Sequence, residues 1–268
     1  MAKRHLPVLP NGFADPKLPR GTYSASQYGL YKNCAKAYEF SYVEGIKNPP
    51  SGVMLTGTSV HAGAEASHLR IIETQKMPSL EEAKAIVGDY FDAEKDTVEK
   101  WDEGLDAGTT KDRALGAYAA YHNNGLKAVK PIAAEQLFMK KIGTVPTIGY
   151  IDLIDAPNPG QLVVADMKTG KAAWSQTDLE KDPQFTLYSL ATGILDVRLD
   201  NLVFLKAGPK FSQKTAKRDA QAQAVLVEDY EETTDLIKRG IFPKTSIDSW
   251  MCGPQYCGYH SMCRGRQY

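Results

Sequence analysis

The segment from Gly149 to Lys171 constrains the fold most, because it places charged residues inside two predicted strands. Residues Tyr150–Asp155 alternate between apolar and polar side chains, and Leu162–Lys168 begins as an apolar run, so both segments predict β-strands. Between them, Ala156–Gly160 is rich in turn-forming residues. The segment therefore predicts a β-hairpin.

The charged residues of this hairpin are expected on one face. Asp166 and Lys168 are two residues apart and point the same way, whereas Met167 points to the other side. Asp152 on the partner strand can lie opposite them. Carboxylates brought together near a core are costly, and a divalent metal ion would offset their repulsion while the lysine positions a water molecule. A solvated, charged strand edge is the alternative interpretation.

The composition excludes several classes of protein. Of the 268 residues, 43% are hydrophobic and 24% are charged, which is typical of a globular chain rather than a disordered one. The 32 basic residues balance the 32 acidic ones, so net charge does not indicate a nucleic-acid partner. No segment is apolar over the length of a membrane span, and the first residues lack the apolar core of a signal peptide. We expect a cytoplasmic protein.

The predicted organisation is one domain preceded by an arm. Residues 1–21 contain four prolines and no periodicity, which predicts an extended arm. Residues 22–268 are expected to form a single domain. Its predicted parts are a helical part (22–130), a sheet with a helix (131–228) and a C-terminal helix with a cysteine tail (229–268).

Further elements are predicted from periodicity and capping sequences. Predicted helices are Thr22–Tyr42, Met54–Ile72, Thr110–Val129, Asp178–Asp196 and Glu228–Arg239. Another predicted helix opens with the capping box Ser79–Glu82, and its inward positions are Ile86, Tyr90, Val98 and Trp101. Predicted strands are Ile132–Lys141, Asn201–Lys206 and Ala222–Val227. The basic segment Lys206–Arg218 is expected to be a loop that either contacts a phosphate backbone or is simply solvated.

Four more residues are candidates for the same site. His61 follows Gly57 by one helical turn among small residues that permit close packing, although a single helical histidine is ordinarily structural. Gln184 and Tyr188 are four apart on a predicted helix and face together. Glu135, on the strand before the hairpin, is a candidate for the same cleft.

In this order, the motifs resemble the PD-(D/E)XK nuclease superfamily, specifically its RecB-like exonuclease branch. The residues that carry the resemblance are Gly57/His61, Gly149/Asp152, Asp166/Lys168 and Gln184/Tyr188. The resemblance implies an α/β fold with a restriction-endonuclease-like core. That core would be a mixed sheet of four or five strands flanked by helices, with a helical N-terminal cover and a C-terminal cysteine clip.

The resemblance also implies a division of roles. The implied ligands of Mg²⁺ or Mn²⁺ are His61, Asp152, Asp166 and the Met167 carbonyl, a set that suits these cations. Lys168 would orient or activate the attacking water, and Gln184 and Tyr188 would support the site or contact the DNA backbone. Many members have glutamate where this chain has Asp166, and the shorter side chain would shift the metal geometry.

The four cysteines form a second signature. Cys252, Cys257 and Cys263 lie within the last seventeen residues, and Cys34 lies far upstream. Disulfides are not expected in a cytoplasmic chain, so the thiols indicate metal or cluster ligation. The pattern is similar to the iron–sulfur staple of AddB-type helicase–nucleases and CRISPR-adaptation nucleases, which implies a [4Fe-4S] cluster. Those relatives often have two residues between the first two late cysteines, and here there are four. Structural Zn²⁺, with His260 as a substitute ligand, is the competing interpretation.

These features together predict a metal-dependent deoxyribonuclease. It would act as an exonuclease on single-stranded or end-exposed DNA in recombination, repair or phage DNA processing, with endonuclease activity left open. The sequence has no Gly-x-x-x-x-Gly-Lys-Ser/Thr phosphate loop, so we expect a free-standing nuclease without a helicase motor of its own. A helicase, recombination or CRISPR-adaptation protein is a candidate partner. The alternatives are a CRISPR-adaptation nuclease that trims DNA ends in a complex and an inactive DNA-binding module with a structural metal.

Overall fold

The computed structural model describes residues 7–102 and 104–265 of an α/β protein. The helices are α1 (Ala25–Asn33), α2 (Ala35–Tyr38), α3 (Gly52–Thr74), α4 (Leu80–Glu94), α5 (Ala107–Asn124), α6 (Gln176–Lys181), α7 (Pro183–Thr192), α8 (Ala220–Lys238) and α9 (His260–Arg264). The strands are β1 (Pro131–Ile142), β2 (Val145–Asp155), β3 (Val163–Gly170), β4 (Asp196–Leu205) and β5 (Gly208–Lys217). Within the described residues, every helix is too short or too polar to cross a lipid bilayer.

The five strands form one mixed sheet in the order β1-β2-β3-β4-β5. Strand β3 pairs with β2 antiparallel and with β4 parallel, and β5 pairs antiparallel with β4. The parallel pair needs a crossover, which α6 and α7 provide. The prediction of a mixed sheet flanked by helices is confirmed, and the predicted hairpin is β2 with β3.

The described residues divide into two compact units. The first contains 50–102, 104–137 and 150–219, and the second contains 7–49, 138–149 and 220–265. The single-domain organisation stays a prediction, because compactness does not establish which part folds alone.

Helices cover both faces of the sheet in the first unit. On one side, Met167 and Leu202 pack with Val87 and Tyr118 from α4 and α5. Helix α3 comes very close there, since a Cβ atom added to Gly63 would lie 2.4 Å from Val87. On the other side, residues of α6 and α7 pack against β4 through Leu179, Phe185, Val197 and Leu199.

A buried ionic network lies on the side of the sheet that faces α3–α5. Arg198 on β4 pairs with Asp155 on β2, and its Nε atom lies 3.0 Å from an Asp200 carboxylate oxygen. The Asp200 carboxylate also accepts a hydrogen bond from Gln213 on β5 at 2.9 Å. Removing one partner from such a network leaves an uncompensated buried charge, which is strongly destabilising.

The second unit is organised around tyrosine rings. The ring centroids of Tyr28, Tyr38 and Tyr230 lie 4.8 to 6.5 Å from that of Tyr23. Asp229 on α8 accepts a hydrogen bond from the Tyr28 hydroxyl on α1. Edge-to-face and tilted ring pairs of this kind add to the stability that burial gives.

Two predicted elements at the C-terminal side are wrong. The segment Ala222–Val227 is part of α8, whose buried residues Leu226, Tyr230 and Ile237 follow helical spacing. The Ala–Gln alternation at the start of α8 has the period of a strand, which explains the error. The predicted loop Lys206–Arg218 is mostly β5, which pairs with β4 from Gly208 to Lys217. An edge strand is commonly polar and charged, so its composition resembles that of a loop.

Three helix predictions also need correction. The predicted helix Asp178–Asp196 is two helices that meet at Asp182, and β4 already begins at Asp196. The predicted helix Thr22–Tyr42 is interrupted at Cys34, where the backbone is extended. The capping box at Ser79 is confirmed, but Ile86 is 40% exposed because Ala83, Val87 and Phe91 form the buried face.

Candidate active site

The β2–β3 register places the two predicted carboxylates side by side. Leu153 pairs with Ala165, so Asp152 and Asp166 are the next pair along the same antiparallel ladder. An Asp152 carboxylate oxygen accepts a hydrogen bond from the Met167 backbone N–H at 3.2 Å. The hairpin geometry therefore brings together the acidic residues that the sequence singles out.

His61 reaches the same place from α3. Its Nδ1 atom lies 3.3 Å from an Asp152 carboxylate oxygen, and its Nε2 atom lies 2.9 Å from the Met167 carbonyl oxygen. Gly57 keeps the helix close to the sheet, because a Cβ atom there would lie 3.0 Å from the Thr169 hydroxyl oxygen. The Gly-x-x-x-His spacing thus has a direct packing reason.

Lys168 and Gln184 hold the Asp166 carboxylate. The Lys168 Nζ atom lies 2.7 Å from one carboxylate oxygen, and the Gln184 Nε2 donates to the other at 2.9 Å. Gln184 also accepts from Lys168 at 2.6 Å and donates to the Tyr188 hydroxyl at 2.6 Å. Gln184 therefore fixes the side chains of Asp166, Lys168 and Tyr188 relative to one another.

Two residues that sequence reasoning missed position this network. The Asp182 side chain caps α7 by accepting from the backbone N–H of Gln184 at 2.8 Å. Asn201 donates to the Lys168 carbonyl oxygen at 3.2 Å and accepts from the Trp174 backbone N–H at 3.1 Å. The Asp-Pro dipeptide at 182–183 is a recognisable start of a helix, whereas Asn201 carries no sequence signal.

Burial and charge set the ionisation of the site. The pKa of Asp166 is raised to about 6, because the loss of hydration on burial, together with the nearby Asp152 carboxylate, outweighs the opposing effect of the Lys168 ammonium. Burial by itself lowers the pKa of Lys168, but the Asp166 and Asp152 carboxylates outweigh that effect and raise it above its ordinary value. Near neutral pH, the pair is an ammonium held against a carboxylate.

The donor set fits a divalent cation. His61, Glu135 and Asp152 each offer a ligand atom, and these atoms lie within 4.8 Å of one another. A cavity of about 10 Å³ adjoins them, which is the space of about one water molecule. Carboxylate oxygens with one imidazole suit Mg²⁺ or Mn²⁺.

Glu135 joins this group in a strained conformation. It lies on β1 with φ of 49°, the left-handed region that a residue other than glycine rarely adopts. Strain of this kind is commonly found at functional sites. The two oxygens of Asp166 are held by Lys168 and Gln184 in the described structure, and its role as a metal ligand stays a prediction.

The four cysteines line one cavity in the second unit. This cavity of about 100 Å³ also adjoins His260. Burial raises the pKa of the Cys257 thiol, and the other three sulfurs contribute in the same direction. The Arg264 guanidinium interacts with Cys252, which raises the pKa of Arg264. Among the described residues, the group whose ligand atoms already lie within 4.8 Å of one another is His61, Glu135 and Asp152, so the cysteine ligation of a cluster or of zinc stays a prediction.

Comparison with known proteins identifies the family. The family model of the PD-(D/E)XK nuclease superfamily matches residues 22–264. This chain belongs to the PD-(D/E)XK nuclease superfamily. As a nuclease of this superfamily, it has the helix-flanked mixed sheet that the motifs predict.

Solved structures agree with that fold. A candidate exonuclease from Eubacterium rectale has a TM-score of 0.60 and 11% sequence identity, covering 92% of this chain and 93% of that one. At this identity the likeness concerns the fold alone. The structure of SSO0001, with a TM-score of 0.40 and 13% identity over 87% of this chain and 95% of its own, is less similar. No curated protein sequence matches this nuclease significantly.

Proposed function

We propose that this PD-(D/E)XK nuclease is a metal-dependent DNA exonuclease that acts on single-stranded or end-exposed DNA. The observation that carries the proposal is the network of Asp166, Lys168 and Gln184 beside Asp152 and His61. Such a network is costly to bury without a catalytic use. The similar Eubacterium rectale protein, named as a candidate exonuclease, supports the exonuclease assignment.

The residues that would hold Mg²⁺ or Mn²⁺ are His61, Glu135, Asp152, Asp166 and the Met167 carbonyl. The bound cation would supply positive charge against the scissile phosphate and lower the pKa of a water molecule. The proximity of the His61, Glu135 and Asp152 ligand atoms supports this assignment.

Lys168 is the residue that acts on the reacting atoms. Its ammonium has three donors, of which Asp166 and Gln184 occupy two. The third is available to the attacking water or to a phosphate oxygen. Water attacks phosphorus, one P–O bond forms and another breaks, and the products are a phosphate monoester and a free hydroxyl. A positioned ammonium stabilises the charge that develops on the phosphate oxygens.

The four cysteines would hold a [4Fe-4S] cluster in the second unit. All four cysteines and Arg264 border one cavity, which supports a single group held by the four thiolates. Arg264 beside Cys252 would compensate the negative charge of the thiolates. We assign the cluster a structural role, because Cys34 and the three late cysteines are far apart in sequence.

Digestion of end-labelled DNA tests the proposal. Anaerobically purified protein is incubated with labelled single- and double-stranded DNA in Mn²⁺, Mg²⁺ or EDTA. We expect metal-dependent cleavage, and Lys168→Ala should slow it by about 10²- to 10⁴-fold, the usual contribution of a positioned acid–base group. DNA binding in EDTA should be retained.

Lys171→Ala is the matched control. Lys171 lies three residues away with its side chain 65% exposed, so its removal should leave the cleavage rate nearly unchanged. A fully active Lys168→Ala variant would remove Lys168 from the mechanism. Folded wild-type protein that cleaves no DNA under any of these conditions would refute the enzyme assignment.

A further inference from the structure

Two large aromatic side chains are exposed beside the cysteine cavity. Trp250 is 69% exposed and Tyr256 is 60% exposed. Their rings form an edge-to-face pair with centroids 5.3 Å apart and planes at 85°. Large aromatic groups that fold into such a pair yet face water are characteristic of interaction sites.

The local core does not need these two rings. In the same segment Tyr259 is only 7% exposed, packs on Phe40 with centroids 5.4 Å apart, and donates a hydrogen bond to the Ile46 carbonyl oxygen at 3.0 Å. The segment therefore buries one aromatic residue and leaves Trp250 and Tyr256 outside. A structural explanation accounts for Tyr259 and leaves the exposed pair unexplained.

Basic residues lie near the pair. In the same segment Lys238 and Arg239 are ion-paired with Asp15 and Asp235, whereas Lys244 is exposed and donates to the Cys263 carbonyl oxygen at 2.7 Å. Lys244 and Arg264 line the same cavity as Tyr256. Basic groups of this kind attract phosphates in any nucleic acid and release counterions on binding.

We propose that Trp250 and Tyr256 form a platform on which the bases of single-stranded DNA stack, while the exposed Lys244 attracts its backbone. This inference deepens the proposed function and takes its substrate class, DNA, from it. Exposed aromatic rings with basic neighbours are the combination by which proteins bind single strands without reading their sequence. Duplex DNA keeps its bases stacked inside, so the platform distinguishes a single strand from a duplex.

Binding in EDTA tests the platform separately from cleavage. The full chain is titrated against a short fluorescein-labelled oligothymidylate and against a duplex of the same length. Loss of one stacking ring is expected to weaken binding of the single strand by about tenfold, so Trp250→Ala and Tyr256→Ala should each show that loss. Trp250→Phe should keep most of the affinity because it keeps a ring. Ile247→Ala, 56% exposed in the same segment, is the control and should change little.

The outcomes separate this inference from the proposed function. Wild-type affinity in Trp250→Ala and Tyr256→Ala, equal losses for single strand and duplex, or a wild type that does not bind oligothymidylate would each overturn the platform. A melting temperature of Trp250→Ala below that of Ile247→Ala would mean that the cysteine segment has unfolded in that variant. The affinities of Trp250→Phe and Tyr256→Ala for the single strand are then compared, and the platform requires that only Tyr256→Ala binds more weakly. Binding that depends on the rings, without metal-dependent cleavage, would support the platform and refute the proposed exonuclease activity. Metal-dependent cleavage with binding that does not depend on the rings would refute the platform and support the exonuclease activity.

Discussion

Stability of the protein in mild acid depends on a buried histidine that takes no direct part in the proposed chemistry. His68 lies on α3, and its Nε2 atom is 2.6 Å from the Tyr121 hydroxyl oxygen. The Nδ1 atom has no hydrogen-bond partner among the described residues. The pKa of His68 is lowered from 6.5 to about 3, chiefly by burial and to a smaller extent by the nearby Arg198 and His61.

The sign of the pH effect on stability follows from the pH at which His68 binds a proton in the folded and in the unfolded state. The unfolded chain protonates His68 below pH about 6.5, whereas the folded protein does so only near pH about 3. The stability contribution is therefore complete above pH 6.5 and is lost as the pH falls. At pH about 5, the loss attributable to His68 is about 2 kcal/mol of the free energy of unfolding.

Asp166 acts in the opposite direction over part of the same range. Its folded pKa of about 6 lies above the ordinary 3.8, so the folded protein binds this proton first. It thereby gains about 1 kcal/mol relative to the unfolded chain at pH about 5. Burial also raises the pKa values of Asp182 and Asp200, so the wild-type pH profile sums several effects and only a comparison of variants isolates His68.

Denaturant unfolding in EDTA, at neutral pH and at pH about 5, makes that comparison. We expect His68→Gln to lose about 2 kcal/mol less than wild type between the two pH values, whatever its absolute stability. Asp166→Asn should lose about 1 kcal/mol more than wild type. Identical pH dependence in His68→Gln and wild type would refute the assignment of a neutral buried His68.

Three further predictions concern the two candidate sites. We expect Mn²⁺ to raise the melting temperature of the wild-type protein and Asp152→Asn to abolish that rise, because the variant would remove a charged ligand; an unchanged rise would exclude Asp152 as a ligand. Gln184→Ala should lower the free energy of unfolding by about 2 kcal/mol and slow cleavage, since Asp166 and Lys168 each lose a partner. Wild-type values for both would make Gln184 dispensable. Cys257→Ser should lower the melting temperature and bleach the brown absorbance that the proposed cluster would give anaerobically purified protein, and an unchanged melting temperature would contradict a structural cluster.

The elements that carry the candidate site are the ones that the sequence predicts well. Strands β2 and β3 have a strong alternating or apolar pattern and a dense turn between them, so local rules agree with the fold. The positions of Asp152, Asp166 and Lys168 follow from strand alternation alone. Local rules do not predict that these residues lie close to His61. That prediction rests on the resemblance of the ordered motifs to a known family.

The rest depends on tertiary contacts that leave weak traces in one sequence. Strand β5 is polar because it lies at the edge of the sheet, and the first turn of α8 alternates like a strand because glutamine and alanine tolerate either structure. The left-handed backbone of Glu135 has no sequence signal, since glutamate ordinarily avoids it. Asn201 acts through the carbonyl of Lys168 on a neighbouring strand, a relation that only the sheet pairing reveals.

The buried pairing of Arg198 with Asp155 has a consequence for how faithfully the site is built. Asp152 and Asp155 are three residues apart on β2 and therefore face opposite sides of the sheet. A slip of β2 by one residue would turn Asp155 away from Arg198 and bring apolar side chains to the charged network. A chain with β2 misaligned would therefore be much less stable, whether or not substrate is bound. In this way the ionic network selects the correct strand register. Correct alignment on one face of β2 thereby positions the Asp152 carboxylate of the candidate site on the other face.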